Sequence, residues 1–315
     1  MSKKALLFPG QGAQKVGMGK DLYDRFPEAR AVYDRAGDVL DMDVAKLCFD
    51  GPKDELDDTA NCQVAVLVTS LAALEGLKAR NGAVADADMA AGLSLGEYTA
   101  LVYAGAMTAD DAVRLVRQRG LFMKAASERT AGGMVSIIGL DCDGAMEVVA
   151  ACQGKGVLVA ANFNSPAQVV LSGSLEAVEC AGKLAAKKGA KRVIALAVSG
   201  AFHSPLMEPA EKGLRAELAK VEFRTPTTPV ISNVSARPVG SADEIRDLLA
   251  LQLTSPVLWV NSMQRMIKDG MSRAIEVGPG RVLSGLLART DRSVATQNVQ
   301  SADDVDKLEA ELVLD

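Results

Sequence analysis

The chain has 315 residues, 49% of them apolar, enough to build one large domain or two smaller ones around buried cores. Its formal net charge of −5 leaves no basic footprint for nucleic acid. Five cysteines (Cys48, Cys62, Cys142, Cys152, Cys180) are odd in number and match no zinc spacing, which argues for a reducing, cytoplasmic setting with no metal site and no disulfide framework.

In chain order, Lys4 to Phe8 reads as a first strand, and the short lead before it leaves no room for a signal sequence. Phe8-Pro-Gly-Gln11-Gly follows at the strand's end. It lacks the lysine and spacing of a P-loop, so it reads either as a plain turn or as a backbone that carries the Gln11 N–H toward a site. The longest apolar stretch, Val64 to Leu77, is broken by Thr69, Ser70 and Glu75 and is too short to span a bilayer; it reads as a buried helix. Met89 to Leu93 is a second strand, and it runs into Gly92-Leu-Ser94-Leu-Gly96 ahead of a helix. Gly-x-Ser-x-Gly between a strand and a helix is either the nucleophile elbow, which exposes a serine hydroxyl on a tight turn, or a glycine-rich packing turn with an incidental serine. A hydroxyl attacks an acyl carbon only when a neighbouring base takes its proton. The chain has one histidine, His203, so an imidazole base can only be that residue.

Thr108 to Arg129 reads as a helix, with Thr108 and Asp111 at capping-box spacing. At 100° per residue Ala112, Leu115, Val116, Phe122 and Met123 form an apolar arc, and Arg119 falls in its middle. A guanidinium on the core-facing side must meet an anion. That anion is either an internal Asp or Glu, or the carboxylate of a bound ligand held two-pronged.

From Ala131 to Val198 the pattern is β-α-β-β-α-β: Met134 to Leu140, Gly144 to Cys152, Val157 to Ala161, Gln168 to Ser172, Leu175 to Lys188 and Lys191 to Val198. This is the ferredoxin-like order, inserted into a larger unit. Arg192 to Val198, Ala274 to Val277 and Val294 to Val299 are also candidates for the main sheet. The expected fold is α/β: a core like that of the α/β hydrolases with a mainly parallel sheet, formed by residues 1–130 and 199–315, plus a ferredoxin-like small subdomain at 131–198. Ser94 and His203 then lie near the two crossings between the parts, where a cleft is expected. Asn162 and Asn164, in Ala-Asn-Phe-Asn-Ser-Pro, either bond a polar substrate or shape a turn, and the turn is the expectation. Lys187, Lys188, Lys191 and Arg192 form a basic run, read as a solvated face.

Taken together, Phe8-Pro-Gly-Gln-Gly, Gly92-Leu-Ser-Leu-Gly-Glu-Tyr, Gln118-Arg-Gly-Leu-Phe-Met, Asn162-Phe-Asn-Ser-Pro-Ala-Gln-Val-Val, Gly200-Ala-Phe-His-Ser and Val277-Gly-Pro-Gly-Arg-Val-Leu resemble the malonyl-CoA:acyl carrier protein transacylases, over nearly the whole chain. The resemblance implies transfer of malonyl from malonyl-CoA to the phosphopantetheine thiol of acyl carrier protein through a malonyl-serine. By that resemblance Ser94 is the nucleophile and His203 the base, turned by the main-chain carbonyl of Gln252. Gln11 and Leu95 supply oxyanion N–H groups, and Arg119 holds the malonyl carboxylate. Asn162 and Phe202 line the substrate site, the bulk of Phe202 favouring malonyl over methylmalonyl. No cofactor or metal is implied, no nucleic acid or membrane partner is expected, and the expected state is a monomer. One departure is Leu93, where many relatives carry His before the nucleophile. Rival readings are a discrete acyltransferase serving a polyketide assembly line, a serine thioesterase, and a non-catalytic module that binds a carrier. The basic run at 187–192, or Arg281 with Arg289, is the candidate carrier-docking surface.

Overall fold

In a computed structural model of the chain, residues 2–80 and 82–312 are described. Two sheets organise them. Strands β1 (Lys3–Phe8), β2 (Met89–Gly92), β7 (Val230–Ile231), β8 (Met271–Val277) and β9 (Ala295–Val299) form a sheet in the order β7-β2-β1-β8-β9, every pair parallel. Strands β3 (Gly132–Ile138), β4 (Leu158–Ser165), β5 (Gln168–Ser174) and β6 (Arg192–Ala195) form a second sheet in the order β4-β5-β3-β6, every pair antiparallel. With helices Cys142–Cys152 and Leu175–Lys187 between them, the second set runs β-α-β-β-α-β with the ferredoxin-like strand order.

The apolar runs of the parallel sheet follow from its burial on both faces. Along β1, Leu6 and Phe8 enter the main core, whereas Ala5 and Leu7 point into a second core on the opposite face with Trp259 and Met263. Successive side chains alternate sides, so a strand covered by helices on both faces must be apolar at every position. The small sheet has its own core of Val135, Ile137, Val148, Leu171, Ala181 and neighbours. Each fully buried Leu or Val contributes roughly 1.5–3 kcal/mol of transfer free energy.

The helix Thr59–Arg80 has the length and apolar composition to cross a membrane, yet it is a core element, packed between helices Pro27–Leu40 and Ala109–Arg129. It is longer than the sequence marked and apolar on every side, as a helix enclosed by protein must be.

Four expectations need correction. Arg192–Ala195 pairs only with β3, so it belongs to the small sheet, and Leu196 to Val198 leave it to return to the main core. Strand β7 has two residues and no period to detect, and it had no counterpart among the expected strands. Asn162 and Asn164 lie on β4 rather than in a turn. The stretch is irregular in register and bonded to a neighbouring loop: the Phe163 N–H donates to Val257 O and the Val257 N–H to Ala161 O. Finally, Cys152 and Cys180 form a disulfide with Cα atoms 6.1 Å apart, joining the two helices of the small unit, against the expectation of none; Cys48, Cys62 and Cys142 are free.

Candidate active site

In the parallel sheet the chain steps from β1 to β2 and β7 on one side, then returns to β8 and β9 on the other. The loops at the carboxyl ends of strands around such a reversal form a crevice. Gln11 follows β1 there, Ser94 follows β2, and Gly278 follows β8. The small sheet faces this crevice, and together they enclose a cleft of about 270 Å³ lined by Gln11, Ser94, Phe202 and His203 on one wall and by Met134, Ser136, Asn162 and Val170 on the other.

Ser94 sits at φ 52°, in the left-handed region. That conformation, between β2 and the helix Gly96–Tyr103, turns its side chain out of the elbow. The turn closes only because Gly92 and Gly96 lack Cβ atoms: one at Gly92 would stand 1.9 Å from the Gly96 carbonyl carbon, and one at Gly96 2.1 Å from Phe8 O. Asn233, fully buried after β7, brackets the turn from behind. Its Oδ1 accepts from the Ser94 N–H at 2.6 Å, and its Nδ2 donates to Gly92 O at 2.8 Å.

His203 is also in the left-handed region, at φ 55°, and is buried. Its Nδ1 lies 2.7 Å from the main-chain oxygen of Gln252, and its Nε2 lies 2.9 Å from Ser94 Oγ. A carbonyl oxygen can only accept, so Nδ1 carries the proton and Nε2 is left as the acceptor for the serine hydroxyl. Burial, reinforced by the positive charge of Arg119, pushes the imidazole pKa down to about 4. The base is therefore neutral and ready to accept a proton at neutral pH.

Arg119 is 1% exposed. It does not line the open part of the cleft but stands behind the serine, where Nη2 donates to Ser94 Oγ at 3.0 Å and to Gln252 Oε1 at 3.1 Å, and Nη1 donates to Gln63 Oε1. Burial lowers its pKa, opposed by neighbouring groups including Tyr98 and Glu97. Among the described residues no carboxylate makes an ion pair with it. Three neutral oxygens hold it instead, so the internal acidic partner weighed from the sequence is not a direct one.

Leu95 is fully buried at the start of the elbow helix, and Gln11 lies on the cleft. Neither main-chain N–H donates a hydrogen bond among the described residues. Phe202 and Asn162 are buried on the cleft walls at 5% and 7% exposure. Gln63, Asn233 and Glu97 were not among the expected site residues. Gln63 is a polar residue inside a helix that is apolar all round, so no amphipathic phase marked it. Asn233 follows a two-residue strand, and Glu97 reads as an ordinary acidic residue in a helix's first turn.

The acyl transferase domain family model matches residues 5–312. The chain is 44% identical over 307 residues to the malonyl CoA-acyl carrier protein transacylase of Bacillus subtilis, covering 97% of this chain and 96% of that protein. Among solved structures it is similar to the malonyl CoA-acyl carrier protein transacylase of Coxiella burnetii, at a TM-score of 0.95 and 35% identity, covering 99% of this chain and 98% of that one. It is equally similar, at a TM-score of 0.95 and 38% identity over 98% of this chain and 100% of that one, to a malonyl-transacylase solved in complex with a type II polyketide synthase acyl carrier protein. The chain belongs to the acyl transferase domain family, and within it to the malonyl-CoA:acyl carrier protein transacylases.

Proposed function

We propose that the chain transfers malonyl from malonyl-CoA to the phosphopantetheine thiol of an acyl carrier protein, in two half-reactions through an ester on Ser94, to supply extender units for fatty acid synthesis. The observation that carries this is the chain of contacts from Gln252 O through the His203 ring to Ser94 Oγ, with the Arg119 guanidinium 3.0 Å from the same oxygen. His203 Nε2 takes the Ser94 proton as Oγ bonds to the thioester carbon, and the carbonyl electron pair moves onto oxygen. The free N–H groups of Gln11 and Leu95 hold that oxyanion, each donor worth ~3 kcal/mol of barrier. The intermediate collapses by expelling the CoA sulfur, which takes its proton from His203. The carrier's thiol then gives its proton to His203 and attacks the ester, and Ser94 leaves as the hydroxyl.

Arg119 selects the acyl group. Its present partners are neutral oxygens, so a malonyl carboxylate gains a charge-assisted, two-pronged contact that they do not supply. An acetyl group offers nothing in that place. Pairing the guanidinium also cancels part of the field that depresses His203, so the base strengthens when the correct substrate is bound. Phe202, on the cleft wall, limits branching next to the thioester, and Asn162 offers its amide to the substrate from β4.

We take residues 1–130 with 199–315 as one working unit and 131–198 as the other, with the cleft between them, and place the enzyme in the cytoplasm as a monomer. What supports a setting away from the membrane is that, among the described residues, the one helix long and apolar enough to span a bilayer is enclosed by protein. A second reading, supply of a polyketide assembly line, is favoured by the similar enzyme solved with a polyketide carrier; relative kcat/KM toward the two carrier types separates it. The two-step route itself is tested by isotope exchange. With no carrier present, labelled CoA must enter malonyl-CoA. Malonate release without exchange would instead mean a thioesterase.

A further inference from the structure

Glu97 lies one helical turn beyond Ser94, 1% exposed, and the chemistry above does not use it. A buried carboxylate beside a nucleophile calls for a reason, because desolvation opposes its charge. Its Oε2 accepts from Gln252 Nε2 at 2.7 Å and from the Asn233 main-chain N–H at 3.1 Å. Both partners are the groups that frame the site. Asn233 brackets the elbow, whereas Gln252 meets His203 through its main-chain oxygen and Arg119 through its side-chain oxygen.

A glutamine amide has one donor end and one acceptor end. Gln252 Nε2 faces two groups that only accept, the Glu97 carboxylate and Ser94 O at 3.0 Å. Its oxygen is thereby turned toward Arg119. The result is a relay from carboxylate through amide to guanidinium. Glu97 balances the buried positive charge at one remove, without occupying the donors that a substrate carboxylate needs. Were the carboxylate in direct contact, it would compete with malonyl for the same two-pronged geometry.

We propose that Glu97 is a positioning residue for substrate selection, fixing the Gln252 amide so that Arg119 stays charged, aimed and held only by neutral oxygens that an acyl carboxylate can displace. This rests on the function proposed above. Burial raises the Glu97 carboxyl to about 7, against the hydrogen bonds from Asn233, Gln252 and Ser232 and the nearby charge of Arg119. Arg119 stays protonated, the Tyr98 phenol is pushed up to about 12, and the His203 imidazole is held near 4. Of these grouped side chains only Glu97 changes charge near neutrality. Above about 7 its carboxylate supplies the negative end of the relay; protonated below, it leaves the amide held by Ser94 O and Arg119 alone and the guanidinium without that counter-charge.

The test is single-turnover acylation of the full chain by malonyl-CoA and by acetyl-CoA, read by intact mass between pH 6 and 8.5, for the parent, Glu97→Gln and Glu97→Asp. The malonyl-over-acetyl preference should fall about ten- to a hundredfold in Glu97→Gln, the range expected when a hydrogen bond to a charged group is lost. It should recover in part in Glu97→Asp. In the parent the preference should decline as pH drops through about 7, and in Glu97→Gln it should be flat. An unchanged preference at every pH, or equal loss for both acyl groups with a lowered Tm, would overturn the proposal while leaving the transacylase reading intact. A parent that forms no malonyl adduct at any pH would instead remove that reading, and this inference with it.

Discussion

Replacing Arg119 with alanine should damage malonyl transfer far more than acetyl transfer. The guanidinium is 1% exposed and held by Gln63, Gln252 and Ser94, so a carboxylate that reaches it is drawn out of water. Removing one partner of a buried, hydrogen-bonded charge pair costs roughly 3–5 kcal/mol. At about 1.4 kcal/mol per power of ten, malonyl acylation should drop roughly 10²- to 10³-fold or more. Acetyl acylation loses the contact to Ser94 Oγ, a hydrogen bond from a charged group worth about 1.5 kcal/mol, or roughly tenfold. The ratio of the two single-turnover rate constants should therefore change about tenfold or more, the quotient of those two figures. Rapid mixing with each thioester and intact-mass detection measures both on one protein preparation. An equal fall for both acyl groups would mean that Arg119 only braces the serine, and the selectivity account would be wrong.

His203 is the only imidazole in the chain, so its NMR titration is free of overlap; the midpoint should lie near 4, and Arg119→Ala should raise it toward the ordinary value of 6.5. A parent midpoint above 6 would contradict the neutral, buried base. Glu97 has a folded pKa near 7 against an ordinary 4.5, so its contribution to stability is fully present below 4.5 and is lost as pH rises through 7. The ionised side chain then costs about 3 kcal/mol at pH 8, and Glu97→Gln should gain on the parent by up to that amount between pH 5 and pH 8 in urea unfolding; the same difference at both pH values would count against the shift. Phe202→Ser should open space on the cleft wall beside His203 and admit methylmalonyl-CoA, measured as acylation by the branched thioester. Continued rejection of that thioester would remove Phe202 from the specificity account.

The catalytic pair was legible because its signals are local. An elbow needs two glycines in five residues, and a single histidine leaves no choice of imidazole base. Arg119 was legible because a charge on an apolar arc breaks the helical period. What surrounds them was not. Asn233 reaches Ser94 across 139 residues, and Gln252 reaches Glu97 across 155. Such contacts are made by the packing of elements far apart in the chain, and no local pattern encodes them. The Asn162-Phe-Asn-Ser-Pro stretch was misread because its composition is that of a turn, whereas bonding to the loop at Val257 holds it extended. The Cys152–Cys180 bond was missed for the converse reason: the count of five argued against pairing, but packing of two helices brings these two together.

The most direct test of the central claim is the intact mass of the purified chain after brief mixing with malonyl-CoA, beside Ser94→Ala, followed by a chase with phosphopantetheinylated acyl carrier protein. One malonyl adduct is expected on the parent and none on the variant, with the adduct passing to the carrier in the chase. An adduct that persists on Ser94→Ala, or transfer to the carrier with no adduct ever detectable on the parent, would contradict it.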